Sequence, residues 1–161
     1  MDKSQARKAL GWGTNRHFIL FSGAFDNQIK NAPLAQSAVN QLENTSLVEF
    51  KGYSRSQVAQ LMNAADALIM TSFTEGSPQV IKEAMACGCP IVSVDVGDVK
   101  EITDGIDGCY IAERTPESVA SCLRQAIGFG KKTEGRKVIE ARGMTNDIVA
   151  KKLLGIYNSV I

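Results

Sequence analysis

The sequence predicts an α/β domain of three layers, in which a parallel sheet of about five strands is flanked by helices. Three observations carry this. Short apolar runs of five or six residues recur along the chain with the composition of strands buried on both faces. Stretches with apolar residues at helical spacing separate them. The connections are short, which favours right-handed crossovers and a parallel sheet.

Taken in order, residues 2–10 predict a helix capped by Asp2 or Ser4 and stopped at Gly11-Trp12-Gly13. His17 to Ser22 (HFILFS) is the first buried strand. Lys30 to Leu42 predicts a helix with Leu34, Ala35, Ala38 and Leu42 on one face. Ser46 to Phe50 is a second strand, and Ser56 to Ala65 a helix turning Val58, Leu61 and Met62 inward. Ala67 to Thr71 (ALIMT) is a third strand. Pro78 to Cys87 predicts a helix, with Ser77 as N-cap and Pro78 as first helical residue. Pro90 to Val94 and Gly108 to Ala112 complete the strands, and helices follow over 116–128 and 146–159.

Composition narrows the function classes. The 161 residues, 44% hydrophobic and 22% charged, make one ordinary globular unit and exclude disorder, collagen and coiled coil. Eighteen basic against seventeen acidic residues leave a net charge of +1, so nothing points to nucleic acid as a partner. No apolar run approaches the roughly 18 residues of a membrane span, and the start (MDKSQARKAL) lacks a signal-peptide core. Residues 95–117 hold seven acids against two bases, and residues 131–152 seven bases against three acids; both read as solvated faces. Cys87, Cys89, Cys109 and Cys122 include no C-x-x-C pair, and His17 is the only histidine, so a zinc site is not expected. The cysteines are expected as reduced thiols packed like small hydrophobes in a cytoplasmic protein. His17, at the start of a strand, is expected to be structural, and Trp12 to pack at the foot of the domain.

Open α/β sheets bind ligands at the carboxyl ends of their strands, which directs attention to residues 22–30, 51–56, 72–78 and 95–99. The stretch Thr71 to Glu83 (TSFTEGSPQVIKE) is the most informative. A buried strand ends, Gly76 lets the backbone turn and a ligand approach, and a helix then presents its first amides to the mouth of the sheet. Such a helix end suits a phosphate or pyrophosphate. Glu75 and Glu83, eight residues apart, are expected to border one crevice.

The segment Met62 to Ile102, with Asp66, Glu75, Glu83, Gly88, Pro90, Asp95 and Gly97 in place, resembles the donor-binding half of group 1 (family 4) retaining glycosyltransferases. That family has the two-domain GT-B architecture, so the resemblance implies a Rossmann-like domain spanning residues 1–161. It further implies an N-terminal acceptor domain of the same polypeptide, absent from this sequence, and no transfer by the isolated fragment. By the same resemblance, Glu75 is the catalytic glutamate contacting donor-sugar hydroxyls, and Glu83 holds the ribose hydroxyls. A carboxylate can accept both hydrogen bonds of a vicinal diol. The segment Gly76, Ser77, Pro78, Gln79 and Val80 would meet the distal phosphate and stabilise the leaving group without a metal or other cofactor. Lys30 matches the lysine of the family's diphosphate clamp. The arginine that usually accompanies it is replaced by Ala24, which passes its task to Asn27, Gln28 or another domain. The base edge is expected near Gly52 and Tyr53. The short link between the second helix and the second strand marks a compact variant.

The resemblance implies a nucleotide-sugar donor, a role in polysaccharide synthesis, and a cytoplasmic location that becomes membrane-peripheral in some complete enzymes. Two alternatives stand beside it. A sugar-nucleotide epimerase of the same architecture would want an acid/base set that these residues do not supply. A receiver-like or other non-enzymatic module would need acids after the first and third strands, where Phe21-Ser22-Gly23 and Thr71-Ser72 stand.

Overall fold

The computed structural model describes residues 1–160. Five strands form one sheet: β1 (His17–Phe21), β2 (Thr45–Glu49), β3 (Ala67–Met70), β4 (Ile91–Val94) and β5 (Cys109–Ala112). All pairings are parallel and the spatial order is β2-β1-β3-β4-β5. The order reverses between β1 and β3, so a crevice opens at their carboxyl ends. Among the described residues there are eight α-helices: α1 (Lys3–Leu10), α2 (Ala32–Val39), α3 (Arg55–Ala64), α4 (Gln79–Cys87), α5 (Val99–Thr103), α6 (Pro116–Phe129), α7 (Gly135–Ala141) and α8 (Asn146–Val160). Helices α2 and α6 pack together, while α1, α3, α4 and α7 form a contiguous second layer. The three predicted layers are present.

The core follows from the apolar runs. Ile19, Leu20 and Phe21 of β1, all of β3, and Ile91, Val92 and Val94 of β4 are buried, as expected of central strands covered on both faces. Edge strand β2 is only half-buried along its length. Trp12 stacks on Phe18 with ring centroids 4.1 Å apart, closing the foot of the sheet. The four cysteines are free thiols. Burial pushes those of Cys89 and Cys109 up to about 12.

Asp66 pins α1 to this foot. Its nearly buried carboxylate pairs with Lys3 at 2.6 Å and Arg7 at 2.6 Å, and accepts the Phe18 amide at 2.8 Å. Burial pushes the Asp66 pKa up, but the Lys3 and Phe18 hydrogen bonds and the charges of Lys3 and Arg7 outweigh it and hold the group below 3.8. His17 lies beside it, Nδ1 3.6 Å from Asp66 Oδ2, at the amino end of β1 and away from the crevice.

Several boundaries differ from expectation, for local reasons. The helix predicted over 30–42 is split into a 3-10 turn, Gln28–Lys30, and α2. Asn31 separates them in the left-handed region (φ 53°), which asparagine tolerates, and Pro33 starts the new helix. Asn27 caps the turn by accepting the Ile29 amide at 3.1 Å. Ser77 is not the N-cap of α4. Pro78 takes that position in extended conformation with no side-chain cap bond. The Ser77 hydroxyl instead donates to the Asp98 carboxylate and accepts from Lys82 Nζ at 2.6 Å. A charged acceptor is the stronger partner and draws the hydroxyl off the helix end. The short helices α5 and α7 were not anticipated; five and seven residues are too few to establish a period.

Candidate functional site

The loops leaving β1 and β3 meet at the switch point and are stitched together. Thr71 Oγ1 donates to the carbonyls of Lys30 at 3.0 Å and Asn31 at 2.9 Å, and the Phe73 amide donates to the Ile29 carbonyl at 2.9 Å. This registry brings two predicted site residues, 45 positions apart, into contact. Lys30 Nζ lies 2.6 Å from Glu75 Oε1, with the two side chains only 21% and 15% exposed. The Lys30 stem crosses the face of Gly23, where an added Cβ would stand 2.8 Å from Lys30 Cγ. Gly23 therefore makes room for the lysine.

Gly76 makes its turn without a left-handed backbone. Its φ is not positive, and a Cβ there would meet nothing within 4 Å, so it leaves open space beside the loop. The close approach occurs opposite it. Gly97 has φ +57° and its added Cβ would stand 2.2 Å from the Gly76 carbonyl oxygen, which also accepts the Asp98 amide at 3.1 Å. Thus the β4–α5 loop supports the loop that carries Glu75.

Helix α4 then begins. Among the described residues, the amides of Gly76, Ser77, Gln79 and Val80 have no acceptor within the protein. These are the orphan donors of a helix start, in the segment that follows the carboxyl end of β3. The Ser77 hydroxyl proton is committed to Asp98, so Ser77 can offer a ligand its amide but not that proton.

Glu83 sits on the exposed face of α4, one and a half turns on. It lines a cavity of about 280 Å³ between α3 and α4, together with Tyr53, Arg55, Val58, Met62 and Cys87. That volume falls just below the roughly 300–1,000 Å³ usual for small-molecule pockets. Tyr53, beside which the base edge is expected, is one wall of this cavity. Glu75 is not among the residues that line this cavity. Pro78 is buried; it shapes the start of α4 and has no N–H to donate.

Sequence reasoning missed Arg114. From the loop after β5 its Nη1 donates to the carbonyls of Thr71 at 3.2 Å and Ser72 at 2.7 Å, and its guanidinium lies over the Phe73 ring. It fastens the three residues before Thr74-Glu75. Its position just past a strand's carboxyl end was the one available signal. Asn27, considered as a stand-in for the absent arginine, spends its side-chain oxygen on its own turn. Among the described residues, no three His, Cys, Asp or Glu side chains gather as a metal site would require, and no helix is long and apolar enough to cross a membrane.

The chain is 34% identical over 104 residues to D-inositol 3-phosphate glycosyltransferase of Actinosynnema mirum, covering 62% of this chain and 25% of that protein. It is 27% identical over 153 residues to an N,N'-diacetylbacillosaminyl-diphospho-undecaprenol alpha-1,3-N-acetylgalactosaminyltransferase of Campylobacter jejuni, covering 90% of this chain and 38% of that one. Among solved structures, sucrose-phosphate synthase of Thermosynechococcus elongatus superposes with a TM-score of 0.83 at 18% identity, over 99% of this chain and 49% of that one. That match shows a shared Rossmann-like fold. The chain thus spans a quarter to two-fifths of these two curated relatives. The sequence pattern that defines group 1 glycosyl transferases matches residues 16–128, and the chain belongs to that family.

Proposed function

We propose that this chain is the donor-binding, C-terminal half of a retaining, metal-independent transferase of family 4, taking a nucleoside-diphosphate sugar as donor. The observation that carries the reading is the set of groups at the switch point: the Lys30 ammonium, the Glu75 carboxylate and the free amides opening α4. The amides of Gly76, Ser77, Gln79 and Val80, with Lys30, would receive the diphosphate. Glu75 would accept hydrogen bonds from sugar hydroxyls, and Glu83, beside the Tyr53 cavity, from the ribose diol. During transfer the anomeric C–O bond breaks with its electron pair passing to the diphosphate. Oriented amides and one ammonium stabilise that charge where it develops, without reorganisation. The acceptor oxygen forms the new bond to the anomeric carbon and passes its proton to the departing diphosphate oxygen, and the acceptor rests on an N-terminal domain of the full-length protein. The two curated relatives carry names that give D-inositol 3-phosphate and N,N'-diacetylbacillosaminyl-diphospho-undecaprenol as the molecules they glycosylate; for this chain the reading includes a role in polysaccharide synthesis at a cytoplasmic or membrane-peripheral location.

Calorimetric titration of the chain with UDP, GDP and ADP tests the reading, and the preferred nucleotide identifies the base. Glu83→Ala is expected to weaken the best ligand by about tenfold or more, since each hydrogen bond to a charged group contributes roughly 1.5–3 kcal/mol. Equal affinity of mutant and wild type would remove Glu83 from the ribose.

A further inference from the structure

We infer that the Lys30–Glu75 ion pair is a latch that makes the site discriminate in favour of an intact sugar nucleotide over the free nucleoside diphosphate. The inference rests on the donor-binding reading above and adds to it. The two groups assigned to neighbouring parts of the donor, its diphosphate and its sugar, are paired with each other, Nζ to Oε1 at 2.6 Å. Neither is a loose surface side chain. The Lys30 stem runs over Gly23, and its carbonyl is held by Thr71 Oγ1. The backbone on either side of Glu75 is fastened by Arg114 at Thr71 and Ser72, and by the Asp98 amide at Gly76. With both main chains fixed, a ligand must exchange partners at the side-chain ends.

The two ligands pay differently for that exchange. A free diphosphate offers Lys30 a new acceptor but offers Glu75 no donor. The Glu75 carboxylate is then left largely enclosed, without its cation, and beside an incoming anion. An intact sugar nucleotide supplies both halves: phosphate oxygens to Lys30 and sugar hydroxyls to Glu75. No enclosed polar group loses its partner. Selectivity of this kind comes from what the wrong ligand leaves unpaired. It also favours departure of the diphosphate once the sugar has gone, because the latch can re-form.

The test removes the charge of Glu75 and compares both ligand types. Wild type, Glu75→Gln and Glu75→Ala are titrated with UDP, GDP and ADP, and with UDP-glucose, GDP-mannose and ADP-glucose. Melting curves verify that each variant is folded. Both variants are expected to bind the preferred free diphosphate about three- to tenfold tighter than wild type, with no such gain for the matching sugar nucleotide. Binding of free diphosphate by the variants alone, with none by wild type, supports the latch equally. Free diphosphate bound equally or more weakly by both folded variants overturns it and leaves the donor-binding reading standing. Absence of binding by every protein to every nucleotide overturns the donor-binding reading itself, and the latch with it.

Discussion

Asp66→Ala is expected to cost about 2–4 kcal/mol of stability, the largest effect of any single side-chain truncation at the foot of the sheet. The carboxylate is 8% exposed and gathers Lys3, Arg7 and the Phe18 amide, so its removal leaves Arg7, only 11% exposed, without its counter-charge. Lys3 is 36% exposed and recovers water, which keeps the cost below that of a fully buried triad. Asp66→Asn should lose less, because its amide oxygen can still accept from Phe18. Acid acts in the same direction. Since the folded pKa lies below 3.8, the unfolded chain binds more protons in acid. The contribution of Asp66 is therefore complete above about pH 4 and drains away as pH falls through the folded value. Chemical denaturation at pH 7 and pH 3 should show the gap between wild type and Asp66→Ala shrink at the lower pH. A gap unchanged between the two would show that the charge of Asp66 does not stabilise the fold.

Gly97→Ala is the second large effect, and it links stability to the site. The residue is at φ +57°, where a side chain costs roughly 1–2 kcal/mol, and the new Cβ would stand 2.2 Å from the Gly76 carbonyl oxygen. Backbone must move, so the total is expected near 3 kcal/mol, and nucleotide binding should fall as the start of α4 is displaced. Gly76→Ala is the contrast: its φ is not positive, its Cβ would meet nothing within 4 Å, and stability should change by no more than about 0.5 kcal/mol. Denaturation midpoints of the two variants measure this directly. Equal destabilisation would contradict the placement of Gly97 against Gly76.

These two positions also show what the sequence made legible. The apolar runs HFILF, ALIM and IVSV announced the central strands because covering both faces removes polar alternation, and the parallel order followed from the helices between them. The Glu-Gly-Ser-Pro turn before α4 was visible as a motif. What Asp66 does was not visible: its partners Lys3 and Arg7 lie some 60 residues upstream, and only the folded topology brings them together. The same holds for Lys30 with Glu75 and for Arg114 on Thr71 and Ser72. Ser77 was misassigned because its local pattern favours a cap, while Asp98, 21 residues on, offers a better acceptor. Local propensity reads elements; it does not read which side chains the sheet places side by side.

The central claim, that the switch point binds a nucleoside diphosphate through Lys30, the opening of α4 and Glu83, is tested most directly by amide chemical-shift mapping of the labelled chain. Titration with the preferred diphosphate is expected to shift Lys30, Gly76, Ser77, Gln79, Val80 and Glu83 most strongly, with the amino-end residues around Asp66 unmoved. Shifts confined to the amino end of the sheet, or none at millimolar nucleotide, would contradict it.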